Sequence, residues 1–355
     1  MSTEPKTPKK KEKKFFKIKA SKRTIYGGGI AAAIAIAGII GGIYIFNIES
    51  PTEEDVLYID MYYAISSLDP LYTPPDDAVF QDHRMFWSQV IEGLFEYNQS
   101  REDTPLIPCL AEDFGTWSPD GLNYTVPLKE RVLFHDGTPF NAAAVKWNFE
   151  RIYRFKDIMP LDYIWAWSYM YDLPDGRAIV NETLVIDEYT IRFVLNAPYV
   201  PFVAVLAAFQ SCILSPSSTP DDDFVDKFTG KLIGTGPFVL KSYDMDPIVE
   251  LCGYLTFTAN ENYWEGKPKI DRIIFESFSA FISVGKVISG EIHYTHLRKN
   301  YNLIDLCKAA ITVNAVSYPV QGVWYTTLNN DIFPITMRKA LSYAFNYSDF
   351  LEVMY

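Results

Sequence analysis

Residues 25–48 read IYGGGIAAAIAIAGIIGGIYIFNI, 24 consecutive positions without a charged side chain, directly behind a basic run. At 1.5 Å of rise per residue, a helix of this length covers a hydrocarbon core of about 30 Å. The flanks set the direction. Ten Lys/Arg lie between Lys6 and Arg23, whereas Glu49, Glu53, Glu54 and Asp55 follow the apolar run. Positive charge is retained on the cytoplasmic side of a membrane, so the reading is a basic cytoplasmic tail (1–24), a single-pass anchor (25–48), a short stem (49–54) and a body on the extracellular face. A cleaved signal peptide is the competing reading, because Ala35-Ile36-Ala37 resembles a small-residue cleavage site. Its apolar core would ordinarily be about 7–15 residues, shorter than this one. The first cysteine, Cys109, is far downstream, so a lipid anchor on cysteine is not expected.

Charge excludes one class of partner. The total of −12 includes a surplus of eight positive charges in residues 1–24, which leaves −20 for residues 25–355. Such a body repels nucleic acid, and no basic stripe past Arg23 offsets it. Apolar residues at 48% and aromatics at 15% exclude a disordered chain, and the length allows two domains.

Cys109, Cys212, Cys252 and Cys307 are an even number in a chain read as exported, where disulfides persist. Three pairings are possible, and four buried free thiols are the alternative. No CxxC supports zinc or thioredoxin-type chemistry. Asn98, Asn123, Asn181 and Asn346 open glycosylation sequons, a mild signal for an external surface.

Beyond Pro51, short apolar runs bounded by Gly, Pro, Asn and Asp alternate irregularly between strand and helix spacing, which predicts a mixed α/β body. Val56–Ile59 reads as a buried strand leaving through a loop at 64–70. Residues Phe86–Phe95 have helical apolar spacing at Phe86, Val90 and Leu94, and Ser118-Pro119-Asp120-Gly121 is a turn before the alternating Tyr124, Val126 and Leu128. Asn141 is placed to cap a helix over 142–153 with the stripe Val145, Phe149 and Ile152. Ile191, Phe193 and Leu195 alternate, Pro201 opens a helix through Phe209, and Gly234-Thr235-Gly236-Pro237 precedes a strand over 238–243. Those glycines serve either positive φ or close chain approach. Met337, Leu341 and Phe345 form a last helical stripe.

The order of blocks resembles the extracellular solute-binding proteins, family 5, of peptide, nickel and oligosaccharide ABC importers. The blocks are Ser67-Leu68-Asp69-Pro70, Val90–Phe95, Leu133-Phe134-His135-Asp136-Gly137-Thr138-Pro139-Phe140-Asn141-Ala142 into Val145–Arg151, Gly234–Phe238, Asn262-Tyr263-Trp264, Ser289-Gly290-Glu291-Ile292 and Arg338–Ala344. The stretch from Leu133 to Arg151 is the most specific. Two positions depart from the usual pattern: Asn346-Tyr347 stands where Asp-Arg is common, and His293 where an acid commonly follows Gly-Glu-Ile.

The resemblance implies a periplasmic-binding-protein-like two-lobe α/β fold with the first lobe, residues 55–300, near complete and the second, 301–355, only begun. It implies a binding protein, not an enzyme, for oligopeptides, serving ABC permease subunits without a cofactor. The alternatives are an oligosaccharide- or nickel-binding member, or a sensory or adhesive ectodomain. A separate chain completing the second lobe is the corresponding partner expectation, with weak binding by this chain alone. Ser66, Ser67 and Asp69 lie where the first strand exits toward the cleft. Trp165 and Trp167 are placed to stack on a ligand, and Trp324, Tyr325 and Asn329 belong to the first strand of the second lobe. Ordinary turn chemistry and core packing are the plainer accounts of the same residues. No GxSxG, HExxH or GxxxxGK[ST] occurs, and Ser283-xx-Lys286 is too short a match to carry chemistry. His293-xx-His296 would need a helix to bind a metal, and the Gly-Glu-Ile block before it reads as strand.

Overall fold

Strand β1 (Val56–Met61) is the apolar run expected near Val56, and it pairs in parallel with β10 (Arg272–Ser277), so segments far apart in the sequence meet in one sheet. The computed structural model describes residues 55–61, 67–72, 80–160, 164, 167–226, 230–245, 252–297, 301–316 and 332–346. The tail, apolar segment and stem (1–54) lie outside the described residues. Among the described residues, no helix is long and apolar enough to cross a membrane.

The first sheet continues from β10 into antiparallel β9 (Cys252–Ala259) and β8 (Phe238–Met245), in the order β1-β10-β9-β8. Helix α1 (Phe80–Val90) covers it, burying Phe86, Trp87 and Val90 against Phe257, Phe275 and Leu255. The helix stops at Val90 instead of running on to Phe95. Glu92 bridges to Ile213, Gly93 lies close to the Phe95 and Leu206 carbonyls, and the chain enters β2 (Phe95–Tyr97), paired with β3 (Leu106–Pro108). Leu94 is buried as its spacing implies, but outside the helix.

The second sheet is antiparallel, ordered β4 (Thr116–Trp117), β5 (Asn123–Pro127), β7 (Thr190–Leu195), β6 (Val180–Asp187). Tyr124 and Val126 alternate inward on β5, as do Ile191, Phe193 and Leu195 on β7. These residues meet α2 (Ala142–Ile158), whose N-cap Asn141 accepts a hydrogen bond from the Ala144 amide at 3.0 Å. The helix outruns its expected end at Tyr153 because Phe155 prolongs the buried stripe. It ends where Pro160 holds Met159 extended. The helix expected from Pro201 to Phe209 is shorter: α3 covers Phe202–Leu206, and a separate turn of 3-10 helix covers Phe209–Ser211.

Gly234 and Gly236 serve close approach, not positive φ. A Cβ on Gly234 would strike the Val90 carbonyl oxygen, and one on Gly236 would lie 2.7 Å from that of Gln89. The Gly236 amide donates back to Val90 O at 2.9 Å. Between them Thr235 Oγ1 donates to the buried Glu92 carboxylate at 2.6 Å, and Tyr263 OH and Trp264 Nε1 reach it at 2.6 and 3.0 Å. Cys109 and Cys307 are buried free thiols, so none of the three two-disulfide frameworks forms. Burial, and then the charge of Glu92, push the Cys109 thiol up.

C-terminal to β10 come α4 (Ala280–Ser289), α5 (Tyr301–Ala309) and α6 (Ile335–Ala344). Met337, Leu341 and Phe345, the expected last stripe, are 47%, 41% and 43% exposed.

Asp69 and Arg151 form a wholly buried ion pair, with Oδ2 and an Nη atom 2.5 Å apart. Asp69 also accepts from the Leu71 and Val225 amides at 2.9 and 2.8 Å, and Arg151 donates to the Pro220 and Asp223 carbonyls. Removing one member of such a pair leaves the other charge buried alone, a loss of about 3–5 kcal/mol. Arg151→Met should lower the urea midpoint accordingly, and Asp69→Asn should do so less, because the amide oxygen still accepts one amide bond.

His135 locks the turn His135-Asp136-Gly137 to the glycine segment: its amide donates to Gly234 O at 2.9 Å, and its Nε2 donates to Gly236 O at 2.9 Å. Burial holds the imidazole below its usual pKa, so the neutral form is favoured in the fold. For Asp136, burial acts upward, but hydrogen bonds from Ser215, Ser218 and Thr138 outweigh it and hold the carboxyl below the usual range. Both shifts are downward. The His135 contribution is therefore fully present above about pH 6.5 and is lost as pH falls from there toward the depressed value. The Asp136 contribution fades only at more acidic pH. His135→Gln keeps a donor for Gly236 O without a titrating group; stability measured from pH 8 to 5 should slope less than in the wild type.

Candidate functional site

β1 and β10 point the same way, and residue Tyr294 joins β1 from its other side in a further parallel bridge to Ile59. Open α/β sheets bind ligands outside the carboxyl ends of parallel strands, where loops diverge and backbone groups stay available. The corresponding edge here lies beyond Met61 and Ser277.

Asp60 stands at that edge, 2% exposed. Its Oδ1 accepts from the Phe278 amide at 3.2 Å and its Oδ2 from Thr295 Oγ1 at 2.7 Å. One carboxylate thus ties together the exits of three chain segments. An ionised carboxylate accepts about four hydrogen bonds, and among the described residues Asp60 accepts these two. Directly after β10, the first turn of α4 exposes Phe281 (75%) and Ile282 (50%), which adds apolar surface near the same edge.

Among the residues read from the sequence, Ser67 and Asp69 are turned inward. Ser67 is buried, and its Oγ accepts from the Asp69 amide at 3.0 Å; Asp69 is saturated by Arg151 and two amides. Trp167 is buried in the core, its Nε1 donating to Leu71 O at 2.8 Å and its ring edge-on to Tyr171. Ser66, Trp165, Trp324, Tyr325 and Asn329 lie outside the described residues. Asp60 and Thr295 were missed. The available signal for Asp60 was a carboxylate closing an otherwise apolar strand. Nothing in the local spacing marks Thr295, whose partner is 235 positions away.

His293 is not on a helix. Its Nδ1 accepts from the Tyr58 amide at 3.0 Å, so that nitrogen has no lone pair to give a metal. Among the described residues, no group of three or more His, Cys, Asp or Glu is placed to hold a metal ion. Two open hollows lie elsewhere: one of about 460 Å³ over Thr116, Thr125 and Arg192 on the second sheet, and one of about 270 Å³ by Thr258 and Arg272 at the amino end of β10. Neither adjoins the carboxyl edge. Of the sequons, Asn181 on β6 and Asn346 beyond α6 are exposed, and Asn98 and Asn123 are half-buried.

Residues 105–355 match the model of the bacterial extracellular solute-binding proteins, family 5, middle region. The chain is 30% identical over 275 residues to di/tripeptide-binding protein 2 of Pseudomonas aeruginosa (strain UCBPP-PA14), an alignment covering 70% of this chain and 48% of that protein. To the dipeptide-binding protein of Escherichia coli (strain K12) it is 29% identical over 282 residues, covering 71% and 48%. Among solved structures, the ABC transporter-associated periplasmic binding protein DppA of Helicobacter pylori, in complex with the peptide STSA, superposes with a TM-score of 0.57 at 25% identity, covering 71% of this chain and 48% of that one. The chain thus spans about half the length of the curated relatives it matches. With the specific blocks, the α/β fold and a family match over residues 105–355 in agreement, the chain belongs to the bacterial extracellular solute-binding proteins, family 5, a family of binding proteins and not of enzymes.

Proposed function

We propose that the chain is the solute-capturing part of an ABC importer for short peptides, tethered by residues 25–48 with its body on the extracellular face. The observation that carries the reading is the family match, together with relatives that are themselves di-, tri- and dipeptide-binding proteins. Asp60 and Thr295 at the carboxyl edge add suitable chemistry, because a peptide main chain offers regularly spaced donors and acceptors. In this reading the organisation is the one read from the sequence: tail, anchor, stem, first lobe over 55–300, and the start of the second over 301–355. In the same reading, Ser66, Trp165, Trp324, Tyr325 and Asn329 are proposed ligand-binding residues. Second-lobe polypeptide, from this or a separate chain, covers the exposed stripe of α6, and permease subunits receive the loaded protein. The sequons at Asn98, Asn123, Asn181 and Asn346 are modified.

Topology and ligand class are tested separately. Protease added to intact cells should digest the body and spare Lys6–Arg23; a body protected in intact cells overturns the tether. For the ligand, thermal melting of the full chain with di- and tripeptides, oligosaccharides, free amino acids and Ni²⁺ is the direct measurement. At about a hundredfold excess over Kd a ligand adds about 2.7 kcal/mol, several degrees in midpoint. Peptides should produce that shift and Thr295→Val should reduce it. A shift with sugars or Ni²⁺ alone assigns another ligand.

A further inference from the structure

Thr116, Thr125 and Arg192 form one row across three strands of the second sheet: Thr116 stands opposite Thr125 between β4 and β5, and Thr125 opposite Arg192 between β5 and β7. Tyr124, Val126, Ile191 and Phe193, their neighbours in the chain, are buried, so alternation turns the row outward. The row lines the open hollow of about 460 Å³, with Ser118 and Asn123 toward one end. Trp117 pairs with Tyr124 and packs on that buried ring, centroids 4.5 Å apart, which leaves the outward row polar.

Donors in this hollow outnumber their partners. Arg192 Nε donates to Thr125 Oγ1 at 2.9 Å, and among the described residues this is the one hydrogen bond of the guanidinium. One edge of the fork is thereby pinned to the sheet, and both Nη groups are left over. Thr125 Oγ1 accepts in that bond, so its own hydrogen is available to another acceptor. The Thr116 hydroxyl and the Asn123 amide group make no hydrogen bond among the described residues, whereas Ser118 Oγ is spent on Asp120 and the Asn123 backbone amide. No carboxylate lines the hollow. Leu184 stands opposite Arg192 on β6, and Glu182, two residues along that strand, makes no ion pair with it.

We propose that this hollow is a ligand site separate from the carboxyl edge, for a small polar monocarboxylate: Arg192 takes the carboxylate through its two Nη groups, and Thr116, Thr125 and Asn123 receive hydroxyl or amide groups of the same molecule. A planar fork held at Nε presents its remaining edge in the geometry that a planar carboxylate meets with two parallel bonds. A dianion is a poorer match, because one positive charge faces it while residues 25–355 carry −20. The volume lies within the range of about 300–1,000 Å³ usual for small-molecule sites. Where Asn123 carries a glycan, the sugar shares the rim of the hollow, so the test uses chain made without sugars. The site does not depend on what the carboxyl edge binds.

The full chain, labelled with ¹⁵N-arginine, is titrated with sodium gluconate and, separately, with sodium sulfate at constant ionic strength set by sodium chloride, and the Nε–H resonance of Arg192 is followed. Gluconate should shift it saturably, with half-saturation on the order of 1 mM, and sulfate should need at least about tenfold more. Binding to the variants is measured by calorimetry. Arg192→Gln, on an outward position, should melt as the wild type does without ligand and bind gluconate at least about tenfold more weakly; Arg192→Lys, which keeps the charge and loses the fork, should also be weaker. Thr125→Val frees the guanidinium and should weaken binding severalfold, and Thr125→Ser should restore it. No saturable shift, a response to sulfate equal to that with gluconate, or gluconate binding undiminished in Arg192→Gln overturns the proposal.

Discussion

The buried contact between Asp69 and Arg151 ties together parts of the chain that share no sheet. Asp69 follows the exit of β1, Arg151 is on the inward face of α2, and the carbonyls and amide that complete the pair come from residues 220–225. A charge removed from water is costly, and attraction to one partner rarely offsets the desolvation of both. Here the remaining lone pairs and protons are also occupied, and Phe155 covers the guanidinium at 4.2 Å. The pair can form only when all three segments are in register, so it specifies the arrangement more than it adds to stability.

A second constraint joins the two sheets through backbone approach. The segment Gly234–Gly236 lies directly against the last turn of α1, and the room that allows this exists because neither glycine has a Cβ. Glu92, just past that turn, then collects hydroxyl and indole donors from Thr235, Tyr263 and Trp264. His135 secures the other side of the same segment. Blocks far apart in the sequence, around residues 92, 135, 235 and 263, are one contact neighbourhood.

This explains which parts were legible. Local devices were readable because their causes are local: the Asn141 cap, the inward alternation of β5 and β7, and the stripe of α2 all appear where spacing puts them. Helix ends were less so. α1 stops five residues early because Gly93 meets carbonyls from β2 and α3, which no window around Val90 contains. The acidic and aromatic residues singled out for binding illustrate the same limit. Asp69 looks like a turn acid next to a cleft, and only the position of Arg151, 82 residues on, shows that its charge is spent inside the fold. Trp167, rich in surface for stacking, is instead fully buried with its indole N–H bonded.

What distinguishes Asp60 from Asp69 is the number and rank of partners, not burial, since both are almost inaccessible. Among the described residues, Asp69 has a guanidinium and two amides; Asp60 has one amide and one hydroxyl, and it sits where parallel strands end. A fully engaged carboxylate is a fixed point of the architecture. A carboxylate with neutral, replaceable donors and spare acceptor capacity can exchange one of them for a donor arriving from solution at modest cost, since a neutral hydrogen bond contributes about 1 kcal/mol net. Thr295 is the replaceable partner, because its hydroxyl can rotate to another acceptor, whereas the Phe278 amide is held by the backbone beyond β10. At the carboxyl edge, therefore, the Thr295 bond can be rearranged without breaking the sheet.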